Sequence, residues 1–532
     1  MAINIKEGLE KIQGKQSQEN QNIPPGSFQV SMATLHHGKP RNEHPIGDFI
    51  QRIFIFEDME KFGLTGWIDM FDTYNLVRNS LIIGEELLYL KFETAGVNVA
   101  GLSDWPVDFS KQPMQVHTVQ NMKEMEANAG ASIQSGLTYR LHFCSPELLT
   151  NNRVRVSRTL QGTYSDMVQD ILVNDLKTTK HIEIEETTDL KHIIIPNLRP
   201  FDAINLITSA AQDETNKTGG GERGGGGGKV DAIFKGRQTD FYFWETSRGY
   251  KFLPAVRHYD GKDLIFTIGG AAAQVPFKET MMTSINHSYV KVGDTLPTIS
   301  SGLWGAKQIL HDSTRKTFWT TQSNYHTSLE QNRYSLISET PVFDPSQSAE
   351  PNILGEPRRI SDWPDSRVMF ATYNSRSDTN INKTTLESDI PWKLVPSNLD
   401  LQRAMQTQHP MDYNRLSIRV HGISALECGR IVYLNLPDVG QGSGITGGTA
   451  VWEDRNDNLW IIKKLSHQID ARQDNMNYSC QLELANTFRY TSKKLPKYPG
   501  LGSANDLRKT PTSPTIDIIS DSGFVEVSKR RR

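Results

Sequence analysis

The chain has 532 residues, a formal net charge of −3 and a pI near 6.6. This charge excludes the class of strongly basic proteins that bind nucleic acid nonspecifically through their overall charge. Hydrophobic residues make up 37% of the chain and the mean hydropathy is −0.49, values typical of globular domains with polar loops and tails. A chain of this length predicts about three to four domains with buried cores.

The three cysteines, Cys144, Cys428 and Cys480, are far apart and match no zinc or redox spacing, so we expect reduced thiols. Residues 1–21 are polar and lack the apolar core of a signal peptide. The longest weakly apolar stretch, residues 264–275, is too short to cross a bilayer. We therefore expect neither export by a signal peptide nor a membrane span.

Residues 1–27 are predicted to form an N-terminal arm. Ile5, Leu9 and Ile12 fall on one helical face, which favours a short docking helix, and a frayed tail is the alternative.

Residues 28–145 have the period of β-strands, since apolar residues alternate with polar ones at 88–92 and again at 139–143. Several such strands in one stretch indicate a small antiparallel barrel or sandwich.

The period changes in residues 146–213, which are predicted to be an inserted α+β domain. Thr163 to Asp166 supply capping residues for one helix, and Pro200 suits the first turn of another. The next segment, residues 214–230, contains eight glycines among the ten residues 219–228, so we expect a flexible loop.

Residues 231–297 are predicted to be a β-hairpin region that completes the inserted domain or the first strand block. Two aromatic runs, 241–245 and 249–253, are each short enough for a strand, and Gly249 supplies the turn between them.

Residues 298–409 are rich in Ser, Thr, Asn and Asp, which predicts a loop-rich region. Strands resume in residues 410–490, where Tyr478, Cys480, Leu482 and Leu484 share one face of a half-buried strand.

Residues 491–532 are predicted to be a C-terminal tail that ends in a basic cluster, residues 529–532. A solvated, flexible tail is one interpretation. The other rests on two short apolar pieces, residues 516–519 and 524–527, which would add as strands to an exposed sheet edge of a neighbouring chain.

A faint internal repeat links the two strand blocks. Residues 84–92 (GEELLYLKF) and 429–436 (GRIVYLNL) both run from a glycine into apolar-Tyr-Leu-polar-apolar. Such a pattern also recurs by chance in β proteins, so on its own it only hints at a duplicated domain.

A resemblance to a known family rests on the middle of the chain. Residues 195–204 (IPNLRPFDAI), followed by 240–245 (DFYFWE) and 249–252 (GYKF), resemble the baseplate hub proteins of contractile-tailed bacteriophages, which are related to the hub part of type VI secretion spikes. The likeness spans about residues 28–489 and is strongest in the middle.

That resemblance implies an α+β, mainly β chain with two antiparallel tube-type β-barrel domains at residues 28–145 and 410–490. It also implies a structural homotrimer that joins the sixfold tail tube to the threefold central spike and leaves a channel for DNA in transit. Three chains match a sixfold ring only if each presents two equivalent surfaces.

The partners implied are the tail tube protein and the central spike protein, with baseplate wedge proteins and the tape measure protein as further candidates. The expected location is the virion, after assembly in the host cytoplasm. No enzyme activity, catalytic residue, cofactor site or metal site is predicted.

Three patterns that suggest chemistry fail on inspection. The glycines before Lys229 lack both the first glycine of a phosphate-binding loop and its Ser or Thr, since Val230 stands there. The acidic pairs at 58–60 and 183–186 have the spacing of solvated strands and not of facing glycosidase carboxylates. The histidines of residues 36–44 have no helical spacing or cysteine partner, which favours surface histidines over a metal site.

Two alternative functions stay open at the level of sequence. One is a tail-associated cell-wall hydrolase, which needs a catalytic domain that the motifs do not reveal. The other is the hub portion of a type VI-like secretion spike, although no repetitive segment follows residue 490.

Overall fold

A computed structural model describes residues 25–37, 42–80, 82–95, 105–125, 136–187, 191–211, 213–214, 237–238, 241–254, 265–267, 284–292, 295–300, 302, 304–312, 316–324, 352–353, 356–357, 367–373, 414–435, 459–472, 477–486, 515–520 and 523–526. The arm before residue 25 and the glycines of residues 219–228 lie outside the described residues.

The strands of the first half are β1 (Phe28–His37), β2 (Asn42–Pro45), β3 (Ile50–Asp58), β4 (Thr65–Asp72), β5 (Leu87–Thr94), β6 (Val107–Asp108), β7 (Met114–Met125), β8 (Gly136–Cys144), β9 (Thr159–Gly162), β10 (Ile182–Ile184), β11 (Lys191–Ile194), β12 (Asp213–Glu214), β13 (Arg237–Gln238), β14 (Phe241–Thr246) and β15 (Gly249–Pro254). Those of the second half are β16 (Ile265–Thr267), β17 (Ser284–Val292), β18 (Gly305–Asp312), β19 (Thr317–Asn324), β20 (Asn352–Ile353), β21 (Glu356–Pro357), β22 (Val368–Tyr373), β23 (Asn414–His421), β24 (Ile431–Asn435), β25 (Leu459–Asp470), β26 (Asn477–Asn486), β27 (Thr515–Ser520) and β28 (Gly523–Glu526).

The helices within the described ranges are short. They are α1 (Leu76–Ser80), α2 (Pro146–Arg153), α3 (Tyr164–Asp170), α4 (Pro200–Ala210) and α5 (Thr295–Ser300), with a 3-10 turn at Gly47–Phe49 and a π turn at Ile171–Asp175. Thr163 caps α3 in a reciprocal capping box with Asp166, and Pro200 opens α4, as the sequence predicted. None of the described helices is long and apolar enough to cross a membrane.

Fourteen strands form one large sheet, in the order β17-β23-β26-β25-β3-β4-β8-β7-β5-β1-β2. β24 pairs with β25 and β16, and β6 pairs with β5. All of these pairings are antiparallel except β16–β24. The predicted α+β, mainly β class is confirmed in its coarse form.

Two runs of five strands in this sheet have the same topology. We call β3, β4, β5, β7 and β8 repeat A, and β17, β23, β24, β25 and β26 repeat B. In chain order these are equivalent one to one, and across the sheet repeat A runs β3-β4-β8-β7-β5 while repeat B runs β17-β23-β26-β25-β24. The second copy therefore has both the connectivity and the neighbours of the first.

The registers of the two repeats also agree. Equivalent residues face each other across three neighbouring strands, Ile68–Leu141–Val119 in repeat A and Ile418–Leu482–Leu465 in repeat B. A slip of one residue would turn every side chain to the other face. Five of these six residues are buried and Val119 is partly buried against the same core, so the two repeats also turn the same positions to the core.

Two β-bulges recur at equivalent positions. The first bulge lies between Ile50 and Arg52 in β3, and its equivalent lies between Ser284 and Asn286 in β17. The second lies between Val116 and Thr118 in β7, and its equivalent lies between Ile462 and Lys464 in β25. A bulge inserts one unpaired residue and bends its strand, so chance placement of both is improbable.

The internal repeat suggested by residues 84–92 and 429–436 agrees with the strand order, since their described parts contribute to the equivalent strands β5 and β24. Leu87 and Leu88 face Gln115 and Met114, as Ile431 and Val432 face Ile461 and Trp460. Each strand follows a glycine with positive φ, +96° at Gly84 and +86° at Gly429, a conformation that only glycine adopts without strain.

The two repeats differ from the separate barrels that the sequence predicted. They are joined edge to edge by β25 and β3, and the described path ends at β17 on one side and β2 on the other, so no barrel closes among the described strands. The register of β25 explains this, because its first part pairs with β24 and its second part with β3.

Two predicted regions contain strands that belong elsewhere. β16 and β17 lie in the segment 231–297 but pair with β24 and β23 of repeat B. The segment 298–409, predicted to be loop-rich, contributes β18, β19 and β22 to a five-stranded sheet.

The C-terminal apolar pieces form a hairpin, β27–β28, that adds to β19 of the same chain, with Ile516 facing Trp319. The sequence left open a flexible tail or strands added to an edge of a neighbouring chain. Within the described structure, the tail instead extends its own five-stranded sheet.

The inserted domain has its own core. Helices α3 and α4 pack with the hairpin β14–β15 around Phe201, Phe243 and Tyr250, which are at most 2% exposed. Trp244 and Leu253 of the same hairpin point the other way and belong to the core of the large sheet. The hairpin therefore connects the two cores.

Candidate functional site

The acidic pairs singled out in the sequence lie in ion pairs with lysines. Glu60 Oε1 is 2.7 Å from Lys463 Nζ, and Glu183 Oε2 is 3.4 Å from Lys251 Nζ. A glycosidase needs two carboxylates facing each other across a cleft, and these two do not have that arrangement.

The histidines of residues 36–44 lie on paired strands. His36 and His37 end β1, and His44 of β2 faces Leu35. The His36 ring packs on Tyr89 with centroids 4.1 Å apart, and His37 Nδ1 is 3.6 Å from Glu86 Oε1. In the described parts of the chain, no group of three or more His, Cys, Asp or Glu is placed to hold a metal ion.

The candidate site is the junction between the repeats, where β3 and β25 pair, and we call it the seam. It runs antiparallel from the pair Arg52–Asp470 to the pair Asp58–Lys464. On the core face Ile53, Ile55, Leu465 and Ile469 are at most 1% exposed. Burying each such side chain contributes roughly 1.5–3 kcal/mol, so the seam is an apolar junction as well as a hydrogen-bonded one.

Each repeat also has an unpaired edge equivalent to one side of the seam. The edge of β7 beyond Gln115 corresponds to the seam edge of β25, and the outer edge of β17 corresponds to that of β3. Neither edge pairs with any strand that the structure describes. The sheet therefore has unpaired edges on β7 and on β17 among the described strands, and they are equivalent to the two sides of the seam.

These edges expose apolar side chains. Ile285, Tyr289 and Val290 of β17 are 48%, 51% and 55% exposed, and Met122 of β7 is 48% exposed. Tyr289 is equivalent to Ile55, which the seam buries completely. Long edge strands with exposed apolar residues are templates for pairing with another chain.

The hairpin β14–β15 binds both repeats beside the seam. Glu57 of β3 accepts hydrogen bonds from the backbone N–H of Ser247, at 2.7 Å, and of Cys428, at 2.9 Å. Trp244 Nε1 donates to the Cys428 carbonyl at 3.2 Å. Lys251 Nζ lies 2.9 Å from Glu427 Oε2. One carboxylate therefore links repeat A, the hairpin and the loop before β24.

Glu57 is unusual for a carboxylate because it is 1% exposed. Burial raises its pKa to about 7, the two backbone N–H donors oppose the rise, and Glu427 adds to it. Desolvation outweighs the hydrogen bonds, so the side chain titrates near neutral pH.

A second buried cluster anchors the inserted domain to repeat A. Lys180 Nζ lies 2.6 Å from both Glu147 Oε2 and Glu245 Oε1. Glu245 Oε2 accepts from Ser145 Oγ at 2.6 Å and from the Leu64 N–H at 2.9 Å. Burial alone would lower the pKa of Lys180, but the two carboxylates outweigh burial and raise it.

The face of the large sheet opposite the core carries rows of alternating charge, and we call it the polar face. One row crosses four strands in register and reads Asp470, Arg52, Asp69, Arg140. Arg140 Nε is 2.6 Å from Asp69 Oδ1, its guanidinium lies 3.7 Å from the centre of the Trp67 ring, and Arg52 Nε is 3.5 Å from Asp470 Oδ2.

A second row reads Asp58, Lys464, Glu483. Glu483 lies between two cations, 3.3 Å from Lys464 Nζ and 3.1 Å from Arg415 Nη1. The cations of both rows thus have carboxylates as their nearest partners.

Sequence reasoning did not find the buried clusters, although one signal was present. The alternation of β3 puts Glu57 on the same face as Ile53 and Ile55, and a charged residue in a buried register marks a specific contact. Lys180 and Glu245 gave no such signal, because their partners are distant in sequence.

No family model matches the sequence, and a search of curated proteins finds no relative. Among solved structures, the chain is similar to a tail protein from Neisseria meningitidis, with a TM-score of 0.46, 9% identity and coverage of 86% of this chain and 97% of that one. It is also similar to a 43 kDa prophage tail protein from Shewanella oneidensis, with a TM-score of 0.44, 8% identity and coverage of 87% and 99%.

A third similar structure is an E. coli component of the type VI secretion system, with a TM-score of 0.35, 8% identity and coverage of 88% and 80%. These three similar structures are thus two tail proteins and one component of the type VI secretion system.

Proposed function

We propose that this chain is a structural tail hub: a homotrimeric ring that joins a sixfold tail tube to a threefold central spike and surrounds a channel for DNA. The observation that carries the proposal is the register-matched pair of repeats in one sheet. Two equivalent units per chain allow three chains to present six similar surfaces.

The seam supplies the geometry of ring closure. Since β7 copies β25 and β17 copies β3, the β7 edge of one chain pairs with the β17 edge of the next as β25 pairs with β3. Transfer of the seam register places Val119 opposite Val292, Lys123 opposite Ser288 and Glu124 opposite His287 of the next chain. This heterologous contact closes after three chains if each repeat turns the ring by one sixth.

The remaining assignments follow from the hub role. The tail tube protein docks on one side of the ring and the central spike protein on the other, with wedge proteins and the tape measure protein as further partners. The chain works in the virion after assembly in the host cytoplasm, and its role needs no catalytic residue, cofactor or metal.

The test is the mass of the purified protein in solution. We expect a particle of three times 60.0 kDa by native mass spectrometry. Tyr289→Asp places a charge on the closing edge and should give mainly monomer, because Tyr289 would become as buried as Ile55.

Ile194→Asp is the matched control. Ile194 is 73% exposed but lies on the inserted domain, away from both edges, so this variant should stay trimeric. A monomeric parent protein, or trimers of Tyr289→Asp as stable as those of Ile194→Asp, would contradict the proposed closure.

A further inference from the structure

The ring proposed above has room for the inserted domain on one side only. The ring takes four strands from each repeat, because β5 and β24 lie off the proposed ring path, which runs through the β25–β3 seam and the β7 and β17 edges. Six repeats then give about 24 strands at about 4.8 Å spacing, hence a circumference near 115 Å and a diameter of about 37 Å. A domain of about 100 residues has a radius of gyration of about 13 Å, so three of them do not fit inside.

The inserted domain lies on the core face of the sheet, because Trp244 and Leu253 belong to that core and Ser247 binds Glu57 there. The core face must then point outward. The polar face, with its two rows of alternating charge, points into the ring.

A passing DNA duplex meets cations there of which four, Arg52, Arg140, Arg415 and Lys464, lie beside carboxylates, whereas Arg419 donates to the Ser479 hydroxyl. Proteins hold DNA chiefly by replacing the counterions of its phosphates with Lys and Arg side chains. Arg140, Arg52 and Lys464 lie 2.6 Å, 3.5 Å and 3.3 Å from carboxylate oxygens, so each has little charge left for a phosphate.

We infer that the polar face lines the DNA channel and that Asp69, Asp470 and Glu483 mask Arg140, Arg52, Arg415 and Lys464, so that duplex DNA slides without being held. The inference rests on the proposed trimeric hub. The paired cations attract the DNA phosphates too weakly to hold the duplex in the channel. The same cations offset the charge of the carboxylates, so the lining repels DNA less than a purely acidic surface would.

The test removes the masks and leaves the cations in place. The lining variant is Asp69→Asn with Asp470→Asn and Glu483→Gln. The control variant, Asp48→Asn with Asp202→Asn and Glu186→Gln, has the same change of net charge at exposed residues away from the polar face. Both are purified as full chains, and native mass spectrometry establishes the ring before DNA is added.

Binding of a fluorescent duplex of about 30 base pairs is then measured by anisotropy between about 50 and 200 mM salt, the range over which phosphate contacts weaken steeply. We expect the lining variant to bind at least tenfold more tightly than the control variant at the lower salt concentration, with a steeper salt dependence. The parent protein should bind no more tightly than the control.

Rings of the lining variant that bind DNA no better than control rings would overturn the masking role and leave the hub proposal intact. A parent protein that forms no ring would overturn both. If the triple variant fails to assemble, the single variants Asp69→Asn and Glu483→Gln against Asp202→Asn give the same comparison, with a smaller gain expected for each.

Discussion

Glu57 shows how one side chain can connect three parts of a fold. Its two carboxylate oxygens accept N–H donors from the hairpin β14–β15 and from the loop before β24, although it belongs to β3. A buried acceptor of this kind is costly when it loses its partners, so it fixes the position of the hairpin against the seam.

The raised pKa of Glu57 predicts a pH dependence of stability. Because its folded-state pKa is about 7 and its ordinary value is 4.5, the folded state binds the proton more tightly than the unfolded state. Its stabilising contribution is complete below pH 4.5 and is lost as the pH rises to about 7. The glutamine of Glu57→Gln does not titrate. The difference in unfolding free energy, variant minus parent, should therefore increase by at most about 3 kcal/mol between pH 4.5 and about 7.

Chemical denaturation of both proteins at several pH values measures this difference. Gly47→Ala changes no titratable group and is the control, for which the difference from the parent should be constant. A flat difference for Glu57→Gln between pH 4.5 and 7 would show that the carboxylate is already ionised across this range.

At the scale of elements, the repeats are alike in register but differ in how they fill space. Repeat B has Gly422 beside Tyr478, where repeat A has Asp72 beside Leu137. A Cβ on Gly422 would lie 2.0 Å from the Tyr478 ring, so the glycine and the ring are mutually adapted.

A double-mutant cycle tests this adaptation. Gly422→Ala should cost about 1–3 kcal/mol in the parent, because a well-packed core resists added volume, and clearly less in a Tyr478→Leu background. Urea denaturation gives the four stabilities. Gly47→Ala, where an added Cβ meets nothing within 4 Å, should cost equally in both backgrounds. Equal costs for Gly422→Ala in both backgrounds would refute the adaptation.

The elements also show what the sequence could predict. Strands with period-two alternation, such as β5 and β26, were identified because half-buried strands repeat every two residues. β17 was missed as part of repeat B, because its apolar residues do not alternate strictly with polar ones and more than 120 positions separate it from its partner β23. The seam itself has no local signal, since pairing of β3 with β25 depends on contacts between residues about 400 positions apart.

At the scale of the whole molecule, the proposed contact between chains copies the internal seam. The proposed register places Lys123 and Ser288 of neighbouring chains opposite each other, as Gln468 and Phe54 face within one chain. Facing residues in antiparallel strands have Cβ atoms about 4.5–5.5 Å apart, within reach of a short cross-link.

Lys123→Cys with Ser288→Cys should therefore cross-link chains into dimers and trimers after brief oxidation or treatment with a short bis-maleimide. The three native cysteines are buried and should not compete. Denaturing gels report the products. Lys123→Cys with Ile194→Cys is the control and should stay monomeric on the gel; equal cross-linking in both would contradict the register.

The hairpin β14–β15 has one further consequence for a ring built this way. Inside each chain, the hairpin lies beside the seam and its Ser247 N–H donates to Glu57. In the proposed contact between chains, Val292 occupies the position equivalent to Glu57, so no carboxylate is there to accept such a hydrogen bond. The six strand contacts around the ring would thus alternate between seams that the hairpin stabilises and contacts between chains that it does not. The ring would be more flexible at the three contacts between chains than at the three seams. Its flexibility would therefore have threefold symmetry, although its strands are arranged with approximate sixfold symmetry, even before a spike binds.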